Sequence, residues 1–156
     1  MNILGTQFTL EHNSLDIYLA GCNGSPHCIG CHNPESWDFT KGVIYDLSYK
    51  QQIKDKVVMF NNMVKNIMIF GGEPLDQNHG ELFSLLNDLK ELNKNIWLFT
   101  RYDLAEIPME IVSLCNYIKT GRYLPDLKCD DNIQYRIKLA TSNQKIIKLK
   151  GDTDND

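Results

Sequence analysis

The stretch Leu15-Asp16-Ile17-Tyr18-Leu19-Ala20-Gly21-Cys22-Asn23-Gly24-Ser25-Pro26-His27-Cys28-Ile29-Gly30-Cys31 decides how this chain is read. Its first six residues predict a short strand that runs straight into Gly21-Cys22, so the first cysteine stands at the carboxyl end of a strand. The next ten residues form a C-x5-C-x2-C run with Gly24, Pro26 and Gly30 inside it, a loop able to curl until three thiolates converge. Two metal chemistries suit such a loop. A structural zinc site closes with four protein ligands, whereas a [4Fe-4S] cluster held by three cysteines leaves one iron free for a substrate or cofactor. Spacing alone does not choose between them. His27 and His32 are the nearby candidates for a fourth zinc ligand, but each adjoins a cysteine in sequence, which makes simultaneous inward reach awkward.

Downstream of the loop, strand and helix patterns alternate. Ile53, Val57, Phe60 and Val64 recur at helical spacing between Ser48 and Lys65, with polar residues on the other side. Ile67-Met68-Ile69-Phe70 is a continuous apolar run that predicts a buried parallel strand, stopped by Gly71-Gly72-Glu73-Pro74. A second helix is expected from Gly80 to Asn93, with Leu82, Leu85, Leu86, Leu89 and Leu92 on one stripe. The strand Asn95–Thr100 follows. Weaker patterns predict a helix over Ala105–Cys115, a strand over Asn116–Lys119 ending at Gly121-Arg122-Tyr123, and a last strand over Lys145–Leu149. Alternation of this kind implies parallel β/α units joined by right-handed crossovers.

The chain has 156 residues and a mass of 18.0 kDa. That is one ordinary domain, expected over residues 1–150, with a short acidic tail over 151–156. It is too short for a closed eight-unit barrel, which takes about 250 residues. Hydrophobic residues make up 42% of the chain, enough for a packed core. Sixteen Lys and Arg against 20 Asp and Glu leave a net charge of −4 with no basic block, which argues against nucleic acid as a partner. No apolar run of about 18 residues points to a membrane, and the first residues lack the pattern of a secretory leader. The 5 cysteines are odd in number, and Cys22, Cys28 and Cys31 are clustered. A disulfide framework would be even and spread, so the reducing cytoplasm is expected.

Taken with Gly71-Gly72-Glu73-Pro74-Leu75, the cysteine loop resembles the radical S-adenosylmethionine enzymes, and among them the activating proteins of glycyl-radical enzymes, in particular those of anaerobic ribonucleoside-triphosphate reductase. Leu19-Ala20-Gly21-Cys22, His32-Asn33-Pro34-Glu35-Ser36-Trp37, Ile96–Thr100, Gly121-Arg122-Tyr123 and Thr141-Ser142-Asn143-Gln144 carry the resemblance over nearly the whole chain. One feature departs from it: the family's usual first gap is three residues, and here five separate Cys22 from Cys28. Extra loop residues cost little entropy and the second gap is kept, which reads as a longer excursion around the same cluster.

The resemblance implies an α/β fold, a partial, open (β/α) barrel of the radical S-adenosylmethionine type with mainly parallel strands. It implies one [4Fe-4S] cluster held by Cys22, Cys28 and Cys31, and S-adenosyl-L-methionine bound at the free iron. Gly30, Cys31 and His32 would line the adenosyl part, while Gly71, Gly72 and Glu73 would receive the methionine ammonium. Thr100 and Arg101 are further, weaker candidates for cofactor contacts. The implied partners are the large subunit of the reductase, which would supply the glycine and cover the open side, and a flavodoxin-type electron donor. Two rival readings have other consequences: a small-molecule radical enzyme such as a 7-carboxy-7-deazaguanine synthase, and a non-enzymatic zinc-bearing α/β module. Trp37 and Trp97 are expected to pack. Cys115 and Cys129 are expected to be free thiols, and Ser142-Asn143-Gln144 has no physical role assignable from sequence.

Overall fold

The computed structural model describes residues 1–151. From residue 152 onward the expected acidic tail lies outside the described residues. The parallel heart of the sheet is β2 (Ser14–Leu19), β4 (Asn66–Gly71), β5 (Asn95–Phe99) and β6 (Tyr117–Thr120). Antiparallel strands flank it: β1 (Asn2–Thr9) and the two-residue β3 (Val43–Ile44) on one side, and β9 (Lys145–Lys148) on the other. The seven strands run in the order β3-β1-β2-β4-β5-β6-β9 and the edges do not pair with each other, which makes this an open, partial (β/α) barrel. A separate hairpin, β7 (Ile133–Gln134) and β8 (Ile137–Lys138), lies over the inner face.

Strand alternation decides which side is which. Leu15, Ile17, Leu19, Ile67, Ile69, Ile96, Leu98 and Ile118 all face the helices. There they pack with Ile53 and Val57 of α1 (Leu47–Phe60), the leucine stripe of α2 (His79–Lys90) and Ile111 of α3 (Met109–Val112). Every crossover therefore lands on one face. The intervening residues, Tyr18, Met68, Phe70, Trp97, Phe99, Tyr117 and Lys119, look the other way and wall a concave inner face. Tyr18 stacks on Phe70 at 5.6 Å and Trp97 on Tyr117 at 3.8 Å between centroids, and Phe70 meets Phe99 tilted, at 4.2 Å.

Asp46 caps α1 by accepting from the Tyr49 N–H at 2.9 Å, and Asn78 caps α2 by accepting from the Glu81 N–H. The helix expected over Ala105–Cys115 is broken. Pro108 cannot continue a hydrogen-bonded helix, so a 3-10 turn at Leu104–Glu106 is followed by the single turn of α3. Strand β1 was not among the expected elements, because Gly5 and a bulge between Ile3 and Gly5 interrupt its alternation. Among the described residues no helix is long and apolar enough to cross a membrane.

Candidate functional site

The carboxyl ends of parallel strands form the usual ligand edge of an α/β sheet, and here that edge carries the cysteine loop. Backbone hydrogen bonds seat the loop's base: Gly21 N–H donates to Ser36 O at 2.7 Å and Cys22 N–H to Trp37 O at 3.1 Å. In return Gly21 O accepts from Glu73 N–H at 2.8 Å, which locks the loop to the turn after β4. Cys22, Cys28 and Cys31 then line one cavity of about 190 Å³ together with Trp37, Gly72, Glu73, Phe99, Thr100, Arg101, Lys119, Gly121, Tyr123 and Gln144. All three are free thiols, partly exposed.

The two histidines that could have completed a zinc site have other contacts. His27 stacks on Trp37 with centroids 3.7 Å apart and its Nε2 lies 2.9 Å from Cys22 O. His32 sits edge-on to Tyr123 and lines a different cavity, beside Cys129. Among the described residues no three His, Cys, Asp or Glu side chains gather around a single-ion position. A structural zinc takes four protein ligands around one ion, and in an iron-sulfur cube each cysteine holds a different iron. The all-thiol donor set and the cavity between the three cysteines fit a cluster.

Of the residues implied for cofactor contact, Cys31, Gly72 and Glu73 share the cysteine cavity. Gly71 instead lines a neighbouring cavity of about 420 Å³ on the inner face, with Gly5, Gln7, Tyr18, Asn33, Glu35 and Ser36. Gly30 stands at φ +74 in the loop, with only the Tyr123 ring near the place a Cβ would take. The two cavities thus flank the Gly71-Gly72 turn.

Glu73 is 2% exposed, and its carboxylate is heavily engaged. It accepts from Thr100 Oγ1 at 2.6 Å, the Arg101 N–H at 2.8 Å and the Leu75 N–H at 3.0 Å. Burial pushes its carboxyl above the ordinary value, and these three donors pull the other way. Thr100 and Arg101, singled out in sequence as weaker cofactor candidates, therefore brace Glu73. Burial also holds the Cys22 thiol above its usual value, opposed by the Gly24 N–H and the Arg101 guanidinium.

Sequence reasoning missed Lys119. It is on the inner face of β6, its Nζ donates to Gly121 O at 2.9 Å, and burial pushes its ammonium down to about 8 despite Glu73 and Cys28 nearby. A lone basic residue in a weak strand gives no signal until pairing shows which way it points. Because the folded value is lowered, the unfolded chain binds more protons between about 8 and the ordinary 10.5, and stability rises with pH through that window. Lys119→Met is accordingly expected to stabilise the iron-free chain at pH 7 by up to about 3 kcal/mol. Thermal unfolding at pH 7 and pH 10 checks this, since the advantage should shrink at the higher pH.

Gln144 and its neighbours acquire a role. Gln144 Oε1 accepts from the Ala140 N–H at 3.0 Å and its Nε2 donates to Gly121 O at 3.3 Å, while Asn143 Nδ2 donates to Arg122 O at 2.9 Å. This segment stitches the last part of the chain to the turn after β6. Cys115 is buried in the helix-side core and its thiol is pushed up to about 12, which leaves it a bystander.

Comparison with known proteins gives the chain its family. The 4Fe-4S single cluster domain family matches residues 13–147. The anaerobic ribonucleoside-triphosphate reductase-activating protein of Escherichia coli (strain K12) is 28% identical over 140 residues, covering 86% of this chain and 87% of that protein. Its namesake in Haemophilus influenzae is 27% identical over 146 residues, covering 90% of each. The Vibrio cholerae namesake is 26% identical over 140 residues, covering 83% and 84%. With this kinship running from β2 through β9 and the cysteines lining one cavity, the chain belongs to the 4Fe-4S single cluster domain family and is a radical S-adenosylmethionine oxidoreductase.

Proposed function

We propose that this protein activates an anaerobic ribonucleoside-triphosphate reductase by generating a glycyl radical on the reductase's large subunit. The observation that carries the reading is the meeting of Cys22, Cys28 and Cys31 with the Gly72-Glu73 turn in one cavity at the ligand edge of the sheet. The reading assigns one [4Fe-4S] cluster per chain to those cysteines, with S-adenosylmethionine beside it and a flavodoxin-type protein as electron donor. When bound, the reduced cluster supplies the electron that cleaves S-adenosylmethionine to methionine and a 5′-deoxyadenosyl radical, able to take a Cα hydrogen from a glycine.

The chain's own residues do the rest. Gly72 lets the turn pack closely on the Gly21 and Ser36 carbonyls so that bare backbone lines the site of the methionine end, and the braced carboxylate of Glu73 places fixed negative charge near its ammonium. Lys119 and Arg101 set positive charge against the thiolates. Phe99, Trp37 and Tyr123 supply apolar wall, which limits water at a site where a radical must survive. The larger cavity across the turn, which the β7–β8 hairpin does not line, is the space for a glycine-bearing loop.

The test combines anaerobically reconstituted protein, reductant, S-adenosylmethionine and the host's reductase, and records electron paramagnetic resonance. A doublet signal on the reductase is expected. Cofactor cleavage without that signal would instead favour a small-molecule substrate, and a colourless protein with stoichiometric zinc would exclude both enzymatic readings.

A further inference from the structure

The five residues between Cys22 and Cys28 have no regular structure, yet they are held at several points by side chains from elsewhere in the fold. Asp76 Oδ2 accepts from the Asn23 N–H at 2.7 Å. Arg101 Nη1 donates to Gly24 O, and its Nη2 donates to the same Asp76 oxygen at 3.0 Å. Tyr102 OH donates to Asp76 Oδ1 at 2.6 Å, which leaves that carboxylate few directions to turn. The two charged side chains are only 9% and 2% exposed. Arg101 also reaches the turn on its other side: its backbone N–H binds Glu73 at 2.8 Å, and its buried Nε, which has no hydrogen-bond partner, lies 3.9 Å from Glu73 Oε2.

The geometry points to Asp76 and Arg101 as a positioning pair for the lengthened cysteine loop, setting Cys22 relative to the Gly72-Glu73 turn before any iron arrives. This inference rests on the cluster reading above. A loop of five free residues samples many conformers, and binding groups must be held to about 0.5 Å to work. A buried ion pair contributes little net stability compared with an apolar replacement, but it fixes one arrangement and discriminates against others. Here that arrangement joins one backbone N–H and one backbone carbonyl of the loop to a side chain of the turn after β4 and a side chain at the end of β5. Cysteine spacing and cofactor turn thus move as one unit. In this role both act through the loop: Arg101, which also lines the cysteine cavity, commits its guanidinium to Gly24 O and Asp76, and Asp76→Asn tests the positioning with the Arg101 charge still in place.

The experiment follows iron loss to a chelator from the reconstituted full-length protein, for wild type, Arg101→Met, Asp76→Asn and the double variant. The double variant is decisive. It removes both charges, so the penalty of an unpaired buried charge disappears while the clamp stays broken. Loss about tenfold faster or more is expected in all three variants, including the double one. Arg101→Lys, which keeps the charge but offers one donor group for two sites, should fall between wild type and Arg101→Met.

Alkylation of Cys115, buried in the core, reports global unfolding in the same samples, and the rates are read in those variants where it stays protected. If Arg101→Met exposes Cys115, Asp76→Asn and the double variant decide by the same measure. Iron loss at the wild-type rate in the folded variants overturns the inference, as does full recovery in the double variant. A wild-type chain that takes up no cluster of about four irons overturns the underlying reading as well, and so separates the two failures.

Discussion

Replacing any one of Cys22, Cys28 and Cys31 by alanine is expected to bring S-adenosylmethionine cleavage down at least about a thousandfold, equivalent to some 4 kcal/mol of lost barrier lowering. Each thiolate holds its own iron in such a cluster, and with two left the cube cannot be anchored. The fold should survive, because all three side chains are partly exposed and exposed substitutions cost about 0.5 kcal/mol or less. Cys129→Ala is the control. Cys129 lines a separate cavity with His32, Asp130 and Lys138, and its loss should leave iron content and cleavage unchanged. Equal iron loss from Cys129→Ala and Cys28→Ala would contradict the assignment.

The second large effect is expected at Gly72. A Cβ built there would run into the carbonyl of Gly21 and come within 2.7 Å of Ser36 O, backbone on both sides and with nothing flexible to yield. Those carbonyls are in use: Gly21 O accepts from Glu73 N–H at 2.8 Å and Ser36 O from Gly21 N–H at 2.7 Å. Gly72→Ala therefore pries the base of the cysteine loop away from the turn after β4. A cost of about 3 kcal/mol is expected, at the upper end for overpacking. In a chain of this size that lowers the melting temperature by on the order of 6–12 °C. Gly71→Ala should act similarly, since Gly71 has φ +140 and a Cβ there meets the backbone of Leu19. A Gly72→Ala protein that melts with wild type would show that the turn and the loop are not locked together.

What could be read from sequence follows from how local each signal is. The strands Asn66–Gly71 and Asn95–Phe99 announce themselves by runs of apolar residues that burial on both faces demands, and Ser14–Leu19 by the alternation of Leu15, Ile17 and Leu19 with Ser14, Asp16 and Tyr18. The cysteine run and the Gly-Gly-Glu turn are legible for a similar reason, each being a contiguous motif. The β7–β8 hairpin is not: its turn residues Tyr135 and Arg136 both take positive φ, at 49° and 66°, where Asn-Gly would have signalled the turn. The Arg101–Asp76 clamp is equally hidden, because its contacts join residues 77 and 25 positions apart. Glu73 shows the limit within a motif. Its identity is readable, but only the fold reveals that Thr100, Arg101 and Leu75 hold its carboxylate.

The hairpin over the inner face bears on how a partner could enter. Tyr135 sits edge-on to Trp97 at 6.1 Å and to Tyr117 at 5.3 Å, beside Asn66 at the start of β4 and Asn13 just before β2. It acts as a stopper at the amino-terminal end of the trough, and the cysteine loop occupies the rim at the other end. A guest polypeptide cannot thread through such a dead-ended trough as an extended strand. If the trough receives the reductase segment proposed above, that segment would go in and come back by the same mouth, as a sharp reversal with a flexible residue at its tip beside the cysteines.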